Sequence, residues 1–244
     1  MQLRHELANA VIQAIGAKSY LQLGSARAIA EIDCPGKQSY YLESADQIPP
    51  SKVYDVVFVD PPHDPGRALF ALNVGLEHLS PAGVLLVANV NPAEEWMQEV
   101  PASAGVALGQ AWRAWLEFRA TCGRYTYTAN LDHGVGVMVA GPESDRFDAS
   151  HVRVDFKTFA ENRYGLLNMA DPESVLLAVR ALRSDAHGDA VVEVMTGAPL
   201  ASVPSQPVAD TAPTPTEAEP ETATDPAVPP VTAPRRKRRD RGTP

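Results

Sequence analysis

From Tyr54 to Asn91 the chain alternates between apolar runs and one amphipathic segment. Val56 to Val59 is apolar without a break and ends on Asp60. Residues 67–79 then carry Leu69, Leu72, Leu76 and Leu79 at helical spacing, Ser80-Pro81-Ala82-Gly83 spells a turn, and Val84 to Ala88 is a second apolar run. Neither run alternates as a half-exposed strand would, so the stretch predicts a parallel βαβ unit buried on both faces. Ligands of such sheets bind beyond the carboxyl ends of the strands, which is where Asp60 and His63 fall.

The flanking pattern extends this plan. Residues 2–16 place Leu3, Leu7, Ala10, Val11 and Ala14 on one helical face, with Gly16 as a stop. Ser19-Tyr20-Leu21-Gln22-Leu23 predicts a short strand ending at Gly24. After the Pro35-Gly36 turn a second strand is expected to end at Glu43. Helical pieces are expected over 94–99 and 110–119. Residues 125–131 alternate as a strand, Asp132-His133-Gly134 supplies turn chemistry, and a further strand begins at Val135; the short connection makes this pair antiparallel. Two helices follow, over 154–169 and 172–184, the second with Asp171 as cap and Pro172 in its first turn.

From about residue 197 the pattern dissolves into Pro, Thr, Ala, Asp and Glu, a composition that cannot offset its ordering entropy, so 197–244 is expected to be a disordered tail. The tail ends in the basic run Arg235–Arg241. Its acids and bases cancel, so the preceding body holds all of the net charge of −9. A body that acidic argues against a duplex-binding surface, which must neutralise phosphates. Cys34 and Cys122 form neither a disulfide framework nor a metal spacing, and His5, His78, His151 and His187 have no partners at ligand spacing, so no metal site is expected. No apolar run reaches membrane-spanning length and no signal-peptide pattern opens the chain; a soluble, cytoplasmic protein with no membrane partner is expected.

The strand ends carry the candidate chemistry. Gly24 allows close approach of a ligand to the backbone, and Glu43, 19 residues on, can accept two hydrogen bonds from a vicinal diol. Asp60 suits an amine, or else caps the following helix. His63 is either a general base or a solvent-facing loop residue. Trp112 and Trp115, three apart on a helix, fit core packing better than substrate stacking.

Taken in order, these features resemble the class I S-adenosylmethionine-dependent methyltransferases, in particular small bacterial or phage-type methyltransferase domains. The resemblance rests on Gln22-Leu23-Gly24, Tyr41-Leu42-Glu43, Tyr54–His63, Leu79-Ser80-Pro81-Ala82-Gly83, Gly109–Trp115 and Gly134–Val137, over roughly residues 18–140. It implies an α/β, Rossmann-like, mostly parallel sheet with helices on both faces and an antiparallel last strand. It also implies a methyltransferase-like domain over 1–145, a helical extension over 146–196 packed on it, and the tail over 197–244. S-adenosylmethionine would be held by Gln22, Gly24, Ser25, Glu43 and Asp60, with Asp60 and His63 at the reacting centre. The acceptor would be a small-molecule or sugar-type hydroxyl or amine.

The chain departs from the family pattern in a consistent direction. Amides stand at Gln22, Asn89 and Gln110 where the family has acids, and Ala26 and Ala28 stand where it has glycines. A methyltransferase-fold scaffold without activity is therefore the second reading, with Arg235–Arg241 as a hook for nucleic acid or an acidic protein partner. The third takes Asp60-Pro61-Pro62-His63 as the loop of a nucleic-acid amino-methyltransferase.

Overall fold

The buried βαβ unit is present in the computed structural model of the chain, which describes residues 4–24, 30–99, 107–139, 147 and 153–186, the last four as backbone alone. Ser25, Ala26, Ala28, His151, His187 and the segment 197–244 with Arg235–Arg241 lie outside the described residues. In chain order the elements are α1 (Arg4–Ile15), β1 (Ser19–Leu23), β2 (Gly36–Tyr40), β3 (Tyr54–Val59), α2 (Pro65–Glu77), β4 (Leu79–Val87), α3 (Ala111–Thr121), β5 (Tyr125–Ala129), β6 (Val135–Val139), α4 (Phe156–Leu167), β7 (Met169–Ala170) and α5 (Pro172–Ala186). No helix among the described residues is long and apolar enough to cross a membrane.

The strands form one sheet in the order β2-β1-β3-β4-β6-β5-β7. β2, β1, β3 and β4 run parallel, β6 is antiparallel to both β4 and β5, and β7 pairs parallel with β5. This is an α/β, Rossmann-like sheet with its antiparallel strand inserted one place in from β5. Alternate residues of β1, β3 and β4 point to opposite faces, and helices cover both. Leu21, Val57 and Leu85 pack under α2, α3 and α4, while Tyr20, Val56 and Val84 pack under α1 and α5. Trp112 and Trp115 are fully buried, the first 4.3 Å from Phe159 between ring centroids, the second donating its indole N–H to Thr128 Oγ1 at 3.1 Å. Truncating either would cost about 3–5 kcal/mol.

Several boundaries differ from the sequence expectations, each for a local reason. The Ser80–Gly83 stretch is not a free turn. β4 already pairs at Leu79, and the register then jumps from Tyr54↔Leu79 to Val56↔Val84, a bulge that accommodates Pro81. β2 stops at Tyr40, because the Tyr41 carbonyl accepts the Ser44 N–H and opens a 3₁₀ helix over Leu42–Gln47. Glu43 therefore lies in that helix rather than at a strand end. α2 starts at Pro65, capped by the Asp64 carboxylate accepting the Arg67 N–H at 2.8 Å. Its buried face is Ala68, Ala71, Leu72, Val74 and Gly75, where small side chains let the helix approach the sheet; of the expected leucine face Leu72 is fully buried, and Leu69 and Leu76 pack partly buried against the same core. On α1 the buried stripe is Leu7, Ala8, Val11, Ile12 and Ile15, the bulkier isoleucines taking the inward positions expected for alanines. Residues 94–99 supply only a 3₁₀ turn over Glu95–Gln98.

One connection matters for the site. Only three residues, Gly16 to Lys18, link α1 to β1, so the two run antiparallel. A helix of α1's length spans about 18 Å and a strand of β1's length about 17 Å. The first turn of α1 is thus returned to the carboxyl edge of the sheet.

Candidate functional site

The hydrogen-bond ladder continues one residue past the strands. Gly24 N–H donates to the Tyr40 carbonyl at 3.0 Å, Asp60 N–H to the Leu23 carbonyl at 2.8 Å, and Ala88 N–H to the Val59 carbonyl at 3.0 Å. This brings the ends of β2, β1, β3 and β4 side by side. Gly24 has φ +109°, and a Cβ there would collide with the Asp60 backbone carbonyl, so only glycine fits both the conformation and the contact. Asn89 turns the chain away in the left-handed region, φ +64°, an uncommon conformation that asparagine tolerates better than most residues.

Asp60 sits at the centre of this edge with its side chain 20% exposed. Arg4 Nη1, from the first turn of α1, lies 3.7 Å from its Oδ1, and Asn89 Nδ2 donates to the same oxygen at 3.4 Å. Burial raises the Asp60 pKa above the usual carboxylate range, against the opposing pull of Arg4 and His63. On the α1 side of the sheet, Gln22 is 2% exposed and its Oε1 accepts the Tyr20 hydroxyl at 3.3 Å. Burial pushes the Tyr20 phenol well above its ordinary value, with Cys34 and Asp60 adding to the effect. Gln22 is therefore part of the packed layer behind the strand ends.

The loop from Asp60 to Asp64 is held at both ends. Pro61 and Pro62 restrict its backbone, Asp64 caps α2, and the His63 carbonyl accepts the Gln110 N–H at 2.9 Å. Gly109, φ +65°, packs so closely on the His63 backbone that any side chain there would overlap it. The His63 ring itself is exposed. Gln110 also lines a shallow depression of about 570 Å³ with Glu94, Glu95, Trp96, Gln98, Glu99 and Arg113. The Asp132-His133-Gly134 turn reaches the same edge, the His133 carbonyl accepting the Asn91 N–H at 2.7 Å.

Glu43 stands apart from this group. Its side chain is 67% exposed and accepts a hydrogen bond from Arg67 in the first turn of α2. A backbone hydrogen bond, followed by the Arg67 contact, holds its carboxyl below the usual range.

Gly24, Asp60 and His63 thus gather at the carboxyl edge of β1 and β3, Gln22 lies behind them, Glu43 lies to one side with Arg67, and Ser25 is outside the described residues. Sequence reasoning missed Arg4, the backbone of Asn89, the Gly109 contact and the glutamate-lined depression. Only Arg4 had a readable signal, the three-residue link between α1 and β1.

No protein-family model matches the chain, and no curated protein matches it. Among solved structures it is similar to an O-methyltransferase from Bacillus cereus in complex with S-adenosylhomocysteine, at 13% identity and TM-score 0.41, covering 56% of this chain and 80% of that one. It is also similar to the O-methyltransferase TomG from Streptomyces achromogenes, involved in tomaymycin synthesis and in complex with S-adenosylmethionine, at 12% identity and TM-score 0.39, covering 55% and 78%. A third is the S-adenosylhomocysteine-bound methyltransferase PaMTH1 of Podospora anserina, at 15% identity and TM-score 0.38, covering 59% and 80%.

Proposed function

We propose that the protein is an S-adenosylmethionine-dependent methyltransferase acting on a small-molecule or sugar-type hydroxyl or amine acceptor. The observation that carries the reading is Asp60, a partly desolvated carboxylate at the carboxyl end of a central parallel strand, set against the Gly24 turn and next to the exposed His63 loop. The donor set fits the cofactor. Asp60 suits its ammonium group, the backbone at Gly24 allows close approach, and Glu43 can accept from a ribose diol once it turns from Arg67. An ion pair that exposed opposes the turn only weakly. When bound, the cofactor supplies an electrophilic methyl group. The protein's share is to align the acceptor and keep it oriented, with His63 accepting a proton where the acceptor is a hydroxyl. Glu94, Glu95 and Glu99 beside the loop favour neutral or amine-bearing acceptors over anions. Calorimetric titration of the full chain with S-adenosylhomocysteine tests the reading; no heat of binding at millimolar ligand overturns it.

A second reading has one observation in its favour, that an arginine already stands at each carboxylate, Arg4 at Asp60 and Arg67 at Glu43. On it the fold is a scaffold, and Arg235–Arg241 provide a salt-sensitive contact for nucleic acid or an acidic protein. The same titration separates the two. Free thiols at Cys34 and Cys122 support a cytoplasmic location under either.

A further inference from the structure

The last turn of α3 withdraws a positive charge from water and, among the described residues, sets no carboxylate against it. Arg119 is 7% exposed, and its Nε donates to Thr126 Oγ1 on β5 at 2.9 Å. Its Nη1 is buried without a hydrogen-bond partner, and none of the ion pairs among the described residues includes it. One turn earlier the same helix makes a complete contact of this kind. Trp115 has a single N–H and gives it to Thr128 Oγ1 at 3.1 Å. A guanidinium carries five N–H donors, so one threonine hydroxyl leaves most of them unmatched.

Buried charges are ordinarily paired, because removing them from water is costly. The strain on this one is visible in its proton affinity, which burial pulls down to about 10. The Phe147 ring, its centroid 4.4 Å from the Arg119 Cζ, gives a cation–π contact. A ring supplies no oxygen acceptor for the Nη1 protons. Those protons belong to the planar fork that matches a carboxylate or phosphate bidentately.

We propose that Arg119 is the centre of a second binding site, for a small oxyanion of the phosphate or carboxylate type. The site is separate from the strand-end group and does not depend on the methyltransferase reading. In strand register Thr126 aligns through Met138 and Leu85 with Val57, so Asp60 lies three strands away and three residues further along. A second cation is close by. Burial pushes the Cys122 thiol up, while the charges of Arg119 and Arg124 both pull it back, so the two arginines act on one spot. An anion arriving there meets both fields. The same helix has Gln110 as its N-cap, whose N–H holds the His63 carbonyl. An anion at Arg119 therefore steadies the far end of the element that supports the His63 loop.

The test measures anion binding by the full chain, with inorganic phosphate and acetate as separate probes and ionic strength held constant with sodium chloride. Calorimetry is expected to give a saturable isotherm for at least one probe, with a Kd on the order of 1 mM. At about 10 mM that affinity shifts the folding equilibrium roughly tenfold and raises the melting temperature by about 3–5 °C. Saturation by phosphate alone assigns the site to phosphate groups, by acetate alone to carboxylates, and by both to oxyanions in general. Arg119→Met should abolish the isotherm and the temperature rise. Arg119→Lys keeps the charge but loses the fork, and should bind about tenfold more weakly than wild type. Far-ultraviolet circular dichroism confirms that the variants fold; if Arg119→Met does not, Arg119→Lys decides, and unchanged affinity in it overturns the proposal. Absence of saturable binding in wild type overturns it as well. So does binding that persists undiminished in folded Arg119→Met, as it would for anions held by Arg235–Arg241. A rise that stays linear with concentration in both proteins is the general effect of an excluded salt, and equally refutes the site.

Discussion

Two aspartates on the same strand region, five residues apart, have opposite circumstances. Asp55 lies at the amino-terminal edge of the sheet. Its Oδ2 accepts the Lys18 N–H at 2.8 Å, the Ser19 N–H at 3.0 Å and the Ser19 hydroxyl at 3.0 Å, while the Asp55 N–H donates back to Ser19 Oγ at 3.0 Å. Asp60 lies at the carboxyl edge with contacts of 3.4 and 3.7 Å and a pKa raised by burial. The first carboxylate joins β3 to the start of β1 and is well supplied with donors. The second is partly withdrawn from water and has fewer and longer contacts. Perturbed carboxylates cluster at functional sites, which supports the role proposed for Asp60.

Among variants that probe this contrast, the largest effect should come from Asp55→Ala. Losing the donors' shared acceptor should cost about 3 kcal/mol and lower the melting temperature by roughly 10 °C, while the folded fraction binds S-adenosylhomocysteine as before. Wild-type stability in this variant would break the contrast at its structural end. Gly24→Ala should follow, at about 2 kcal/mol, because the new methyl group meets the Asp60 carbonyl in a backbone conformation that L residues avoid. It sharpens the comparison by showing that the carboxyl edge also contains a structural position.

Asp60→Asn should reverse the usual direction, gaining up to about 1 kcal/mol in stability at neutral pH while weakening S-adenosylhomocysteine about tenfold or more. The sign follows from proton linkage. A carboxyl with a higher pKa in the fold than in the unfolded chain binds more protons when folded, so its contribution falls as pH rises from the ordinary carboxylate range through the raised value. Denaturation followed against pH should show this slope in wild type and its loss in Asp60→Asn. The smallest effect is expected from Glu43→Gln. Its lowered carboxyl contributes stability only above the ordinary carboxylate pKa, lost as pH falls through the depressed value, and the group is exposed. Melting should barely change, whereas a modest loss of S-adenosylhomocysteine affinity would support its ribose role.

The sheet was legible because its signals are local. Continuous apolar runs marked β3 and β4, alternation marked β5, and the Asp132-His133-Gly134 turn made its partner antiparallel. Lengths and caps were less so. Asp64-Pro65 spells a helix start that the leucine spacing obscured, and the true inward face of α2 uses Ala68, Ala71 and Gly75, residues whose importance lies in what they leave out. At the site, Gly24 and Asp60 were readable as strand-end residues. Arg4 was readable only indirectly, because its place depends on two element lengths matching across a short link. The capture of Glu43 by Arg67 was hidden for a similar reason, since it joins a 3₁₀ helix to α2 across 24 residues of chain.

The contact between Gly109 and the His63 backbone separates what position 63 is from where it is. The main chain there is fixed by a glycine that admits no side chain and by the Gln110 N–H, while the residue itself is exposed. Exchange of that ring for another group leaves the path of the loop unaltered. Natural drift or deliberate engineering can therefore revise the chemistry offered at this point without rebuilding its support. Position 109 has no such liberty, and a change there would move every group the loop carries.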